Sequence, residues 1–505
     1  MNFLNSLWGR MKNFIFPQDV TEREFQVKPA TGLVMERNIN LWYAMYINKP
    51  PWAVPPVVSL GLPASICREL VRPTLSELTI SIAGSTRADY LNDQMHEALE
   101  NLPQQLELGL AVGGIAFKPY IYGNRILVDA TSATAFQPTK FDAAGVCIGG
   151  VFREKAQVND KYYMRLEYHN LDGTTYTIQN KAYHSDSSGG VGSSASLADV
   201  PEWAEIPPEV TIQNIEHPLF AYFKPPQSNN VVTDDLTGMS IYGGSVVDLI
   251  KRADEQWDLI RWEYESGQRK ILMDGTATMA KQFDKRLFEI APFSQKGDFY
   301  QAFEPNFRDD ALYRGLQNIL KQIEFQVGFS YGTISDPQSI EKTATEIRNS
   351  KQRMYVTIDG IQKRLQHVLD TLVYGIDVYA TLYNLAPAGN YEVSYDWGDS
   401  ILDDADAKAQ ERNNDRQDMA SGIMNDWEYR MVYKILVHGE AVSGLAGLRP
   451  LRNDVQPVSY THLLLSSRKY VSANSTCPPT PPPSPFLPSH PPPKSAQGSS
   501  DAPSY

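Results

Sequence analysis

Apolar residues between positions 343 and 383 recur at spacings of three and four. Ile347, Met354, Ile358, Ile361, Leu365, Val368, Leu372, Ile376, Tyr379 and Tyr383, with Lys351 in the same register, fall on one stripe, the signature of a long helix that packs on one face and is wet on the other. Thr343-Ala344-Thr345-Glu346 has capping-box spacing, in which a hydroxyl and a carboxylate reciprocally satisfy amide donors at a helix start. Asp336-Pro337, just before it, marks a turn. At about 1.5 Å per residue the helix reaches roughly 60 Å, wider than an ordinary globular domain, so it must lie along other elements or other chains.

The remaining pattern predicts an α+β chain. Phe3, Leu4, Leu7, Trp8, Met11, Phe14 and Ile15 share a helical face over residues 1–16, with Arg10 and Lys12 between them and no small-residue cleavage site. Such a segment is not a secretory signal; it reads as a subunit-clasping arm or as a membrane-surface helix. Residues 60–70 read as a helix that Pro73 ends, 75–82 as an alternating strand, and 87–102 as an amphipathic helix. Two strands joined at Gly123-Asn124 are expected over 113–129, and further antiparallel strands over 151–183, punctuated by the turn pairs Asn159-Asp160 and Asp172-Gly173. Residues 200–226 read as a proline-rich irregular connector. Val246, Ile250, Ala253, Trp257, Ile260 and Tyr264 define one helical face, and Leu312, Leu316, Ile319, Ile323 and Val327 another, with a short mixed insert between the two helices. Residues 390–400 alternate as a strand, and the acidic stretch 403–423 is expected to be helical.

Composition narrows the classes. A chain of 505 residues exceeds one ordinary core, so two to four sub-domains are expected, and 42% hydrophobic with 21% charged residues is the balance of a soluble globular protein. The net charge of −13 argues against gripping nucleic acid through a continuous basic surface. It is compatible with a conduit along which DNA slides, since a strongly attractive wall would hold DNA back. Cys67, Cys147 and Cys477 stand far apart, without the spacing of a disulfide scaffold or a thiolate metal site, which suits a reducing compartment. No apolar run approaches the roughly 18 residues that span a bilayer.

Chemistry is not indicated. The glycines Gly189, Gly190 and Gly192 lie in a small polar loop that lacks both the GKS/GKT ending of a phosphate loop and GxGxxG spacing. HExxH and GxSxG are absent, and the eight histidines are dispersed. The pairs Asp234-Asp235, Asp309-Asp310 and Asp403-Asp404 could hold a metal or run acid/base chemistry, but two of the three fall where helix N-termini are expected, positions that favour acids for dipole reasons. No catalytic, cofactor-binding or metal-ligating residue is therefore expected, and the chain reads as a non-enzyme.

Several separate strings occur in an order that resembles the portal, or head–tail connector, proteins of tailed bacteriophages, particularly those of siphophages and prophages of Gram-positive bacteria. They are NINLWYAMYINKPPWAVPP, LGLPASICRELVR, GSTRADYLND, VPEWAEIPPEVTIQNIEHPLFAYFKPP, GFSYGTISDP, EKTATEI, SKQRMY and NYEVSYDWGDS. The resemblance implies a portal fold: an N-terminal arm (1–56), a wing (57–237), a stem helix (238–266), a clip (267–305), a second stem helix (306–328), a tunnel loop (329–342), the long helix with a return strand into the wing (343–400), and the start of a crown (401–433). It implies a ring of about twelve chains at one capsid vertex, which passes double-stranded DNA inward without sequence specificity, later releases it, and joins head to tail. Implied partners are the terminase large subunit, the major capsid and scaffolding proteins and a head–tail adaptor; the implied place is the virion, and the host cytoplasm during assembly, with no membrane. Gly332, Thr333, Ser335, Asp336, Pro337, Gln338, Lys342 and Lys351 would face the DNA. Lys270, Asp274, Lys281, Phe283, Arg286, Phe288, Phe293 and Lys296 would contact motor or adaptor.

The resemblance runs from about residue 38 to 431 and stops near 433. Residues 434–505 show no usable periodicity, and 11 of the chain's 34 prolines fall in 477–505, so this stretch cannot form a packed core. It reads either as a proline-rich recognition tail or as foreign or out-of-frame sequence that leaves the crown truncated or replaced. Two other functions stay open at this level: a phage structural or interaction protein without a DNA channel, and a nucleic-acid enzyme.

Overall fold

A computed structural model of the chain describes residues 18–186, 191–267, 306–337 and 344–398, with short pieces at 270–274, 288–291, 300–303, 468–470 and parts of 413–421. The arm over 1–16, Gly189 and Gly190, Thr343 of the expected capping box, Asp403-Asp404 and nearly all of 399–505 lie outside the described residues.

The chain opens with helices α1 (Gln18–Phe25), α2 (Leu33–Tyr46) and α3 (Leu62–Leu75), then strand β1 (Thr79–Ala83) and helices α4 (Thr86–Leu99) and α5 (Leu102–Val112). Pro73 does not end α3. It sits in the last turn, where its missing N–H costs a single bond to the preceding turn, and the turn continues through Ser76 N donating to Arg72 O at 3.0 Å. Helix α5 is a further difference: the sequence reading runs one helix through 87–102, whereas Asn101 breaks it and Pro103 starts a second.

Strands β2 (Ile115–Tyr122) and β3 (Arg125–Ser132) form the hairpin expected at Gly123-Asn124, with Tyr122 opposite Arg125. Next come β4 (Phe136–Phe141), β5 (Cys147–Val158), β6 (Lys161–Asp172), β7 (Thr175–Ser185) and β8 (Ser193–Ala195), an antiparallel sheet in sequence order. Asn159 and Asp160 both take positive φ, 48° and 61°, as a two-residue hairpin turn demands. The connector over 200–226 is less irregular than expected. It carries β9 (Glu209–Ile212), which adds to β7, and β10 (Ala221–Phe223), which adds to β2.

Helix α6 (Ser245–Ser266) leads into three short strands, β11 (Lys270–Asp274), β12 (Phe288–Ala291) and β13 (Tyr300–Phe303), paired in the order β12-β11-β13, and α7 (Asp309–Val327) returns beside α6. Helix α8 (Ala344–Leu382) follows, 39 residues long. Strand β14 (Tyr391–Asp396) then pairs antiparallel with β1 on one side and with β15 (Arg468–Tyr470) on the other. The molecule is mixed α and β, with its main core where α8 meets β2, β10, α3 and α4.

The stripe read from sequence is the packed face of α8. Ile358, Ile361, Leu365, Val368, Leu372, Ile376 and Tyr379 are all buried, while Lys351, Gln352 and Lys363 are exposed. Past Val368 the burial widens to take in Leu369, Val373 and Ala380, because strands and helices cover more than one side there. Charges are also buried. Arg87, 2% exposed, spans from α4 to the end of α8 and beyond, donating to Thr381 Oγ1 and Pro387 O, both at 3.1 Å. On β6, Glu167 takes Lys118 Nζ at 2.5 Å, Arg165 at 3.2 Å and His169 Nε2 at 2.8 Å, and His169 Nδ1 meets the Tyr176 hydroxyl at 2.8 Å.

Candidate functional site

The site singled out by sequence is the turn between α7 and α8, and one side chain organises it. Glu324 lies on the apolar side of α7 beside Leu320, Ile323 and Val327, and is fully buried. Helix α7 ends at Val327 and is capped by Gly328, which takes φ +88°, a left-handed conformation that closes the helix with little strain for glycine alone. A Cβ there would stand 2.2 Å from Thr357 Oγ1. Phe329, also fully buried, pins the next residue to the core.

The chain then folds back over the Glu324 carboxyl group. Ile334 N donates to Oε1 at 2.7 Å and Ser335 N at 2.8 Å, Gly332 N donates across both oxygens at 3.1 and 3.2 Å, and Ser335 Oγ donates to Oε2 at 2.9 Å. Three amide donors, those of Gly332, Ile334 and Ser335, and a hydroxyl that would otherwise be orphaned in a turn are thus satisfied by one acceptor. Thr333 Oγ1 donates back to Ser330 O at 2.6 Å, and Asp336 N donates to Gln317 Oε1 at 2.7 Å.

This geometry sorts the expected loop residues. Asp336 and Pro337 are exposed, Lys351 is exposed on α8, and Gly332 and Thr333 are half-buried. Ser335 is a correction: it is 5% exposed and its hydroxyl points inward to Glu324, so it shapes the loop and does not face outward. Gln338 and Lys342 lie outside the described residues. Arg353 caps the other side of the turn, its guanidinium 4.8 Å from the Phe325 ring and 5.4 Å from that of Tyr331, a stacking arrangement that favours arginine over lysine.

The helix pair below the turn is pinned at both ends. Near the insert, Arg308 donates to Glu263 through its backbone N at 3.0 Å and its guanidinium at 2.7 Å, which holds the Glu263 carboxyl below the usual range. Tyr264 OH donates to Asp309 Oδ2 at 3.1 Å, and its ring lies 5.5 Å from that of Phe307. At the opposite end, Ser245 Oγ donates to Gln326 Oε1 at 2.6 Å. Midway, Asp254 takes Trp52 Nε1 and Leu60 N, both at 2.8 Å; its pKa is raised by burial against the opposing effect of these two donors. The pair also carries large apolar side chains on its outside: Leu259, Trp262 and Phe325 are all about half exposed.

Lys270 and Asp274 lie on β11 and Phe288 on β12; Lys281, Phe283, Arg286, Phe293 and Lys296 lie outside the described residues. Asp309-Asp310 stands at the start of α7 as the dipole argument expects. Asp235 instead organises a turn, accepting Thr237 N at 2.8 Å. Among the described residues no group of His, Cys, Asp or Glu could hold a metal ion, and no helix is long and apolar enough to cross a membrane.

Glu324, Glu263 and Arg353 were missed by sequence reasoning. The signal for Glu324 was present: an acid within the apolar register of a helix, four residues after Leu320 and three before Val327, asks for an internal partner. The chain matches no protein-family model and no curated protein.

Proposed function

We propose that this chain is a portal protein of a tailed bacteriophage, with the portal fold. About twelve copies close into a ring that sits at one vertex of the capsid, passes double-stranded DNA inward under the terminase motor, lets it out at ejection, and holds the head-to-tail adaptor. The major capsid and scaffolding proteins are its partners in shell assembly. It works by shape and position and runs no reaction.

The observation that carries the reading is an order of parts. A helix of 22 residues, a small β unit, a returning helix of 19 residues, a connection that begins with a turn around Glu324, and a helix of 39 residues follow one another, and the strings resembling portal proteins fall along the chain in the same order. Two further features support it. Half-exposed Leu259, Trp262 and Phe325 on the helix pair suit the side-to-side contacts that a closed ring requires between unlike faces of neighbours. Asp336 and Pro337 are exposed, and the backbone donors of the preceding turn are already used by Glu324, so this segment can touch a passing phosphate chain without gripping it. The net charge of −13 has the same consequence.

Negative-stain microscopy with light scattering on the purified full chain tests the reading. Rings with a central hole and a mass on the order of 0.7 MDa are expected. A monomer at every concentration and salt would overturn the portal assignment in favour of an interaction protein without a channel.

A further inference from the structure

A cleft of about 360 Å³ opens on the outside of α8, bounded by the turn between β4 and β5 and by β10 with its flanks. It lies apart from the turn around Glu324, and its floor comes from a second stripe on α8. Arg364, His367, Thr371 and Tyr374 succeed one another at helical spacing, next to the packed stripe that holds Leu365, Val368 and Leu372.

The chemistry of the walls is cationic and aromatic, against the trend of a chain with net charge −13. Arg364 is exposed, and its guanidinium has no hydrogen-bond or ion-pair partner among the described residues. Across the cleft, half-buried Lys224 donates to Leu236 O at 2.9 Å and stands 5.4 Å from the centre of the Phe141 ring. Burial lowers the Lys224 pKa, and the facing Arg364 lowers it further. The His217 ring meets Tyr374 edge-on at 5.1 Å, and Tyr374 OH is held by Glu216 N at 3.0 Å. The lining acid, Asp370, is engaged by Tyr395 OH at 2.8 Å.

Two cations that face each other across a cleft repel until an anion sits between them. An arginine fork matches phosphate oxygens two at a time, and the cleft falls within the size range of small-molecule sites. From these placements we infer that the cleft binds a small phosphate-bearing anion, of pyrophosphate to mononucleotide size, with Lys224 and Arg364 on the phosphate and the Tyr374–His217 ring pair beside the organic part. The inference stands whether or not the chain forms rings.

Calorimetric titration of the full chain with pyrophosphate, AMP, sulfate at matched ionic strength and a short blunt DNA duplex tests it. Pyrophosphate or AMP should bind saturably, and Arg364→Gln, an exposed change that leaves the core untouched, should weaken that binding about tenfold or more. Saturable AMP binding without pyrophosphate binding also supports the site and assigns it to nucleotides. The inference is overturned by no saturable binding of either, by equal binding to Arg364→Gln, by sulfate binding as tightly as pyrophosphate, or by a response to the duplex alone.

Discussion

Glu167 and Glu324 are both buried carboxyl groups, held in opposite ways. On β6, Glu167 is met by charge: Lys118 and Arg165 converge on it from two sheets, and the His169 ring hydrogen-bonds it from the same strand. At the end of α7, Glu324 is met by neutral donors from a single turn four residues long. The first arrangement ties separate strands together, and its loss is felt across the body of the molecule. The second writes the shape of one loop, and its loss should stay there.

The largest expected effect breaks the charged side of that contrast. Glu167→Gln leaves Lys118 buried without its counter-charge, while Arg165 keeps Glu154 at 2.5 Å, and should cost about 3–5 kcal/mol of global stability; chemical denaturation measures it. A loss under about 1 kcal/mol would mean that solvent reaches the cluster and the charges are not truly paired.

Acid probes the same cluster without mutation. Burial lowers the His169 pKa; for Glu167, burial alone would raise it, but Lys118 and Arg165 outweigh that and carry it well below the usual range. Both folded values are depressed, so both groups contribute stability that is present above their unfolded pKa values and lost as pH falls. The denaturation midpoint should therefore drop below about pH 6.5 as the unfolded histidine takes up a proton, and drop again below about pH 4.5. His169→Gln should flatten the upper step, and a midpoint that rises on acidification would contradict the assignment.

A smaller, local effect is expected on the neutral side. Glu324→Ala leaves three amides and a hydroxyl without an acceptor, at about 1–3 kcal/mol, and should speed hydrogen exchange at 332–335 well before the sheet amides respond. Protection lost evenly across the chain would show that the turn is not a separate unit. Smaller still, Gly328→Ala forces a left-handed alanine against Thr357, about 1–2 kcal/mol, and a stability equal to wild type would mean that α8 can move aside.

Much of the architecture was legible because local chemistry dictated it. The hairpin turns need left-handed backbone that Gly123, Asn159, Asp160 and Gly173 supply, and the α8 stripe follows from helical period alone. Reading failed where a residue's role depends on distant chain. Pro73 reads as a stop signal, yet in a last turn it breaks only one bond. Ser335 reads as an outward polar residue until the carboxyl group eleven positions earlier turns it inward. The cleft was invisible for the same reason, since Lys224 and Arg364 are brought together only when α8 lies across β10.

The pairing of β1 with β14 bears on synthesis. Thr79–Ala83 finds its partner at Tyr391–Asp396, and Arg87 reaches its acceptors at Thr381 and Pro387. At about 5–20 residues per second a ribosome needs roughly 15–60 s to make the chain between them. Throughout that interval β1 has an open edge and Arg87 lacks its acceptors while the sheet of β4 to β8 can already close. The nascent chain thus carries a half-built layer that must stay clear of other exposed strand edges, and on a crowded polysome the nearest such edge belongs to the next copy of the same protein.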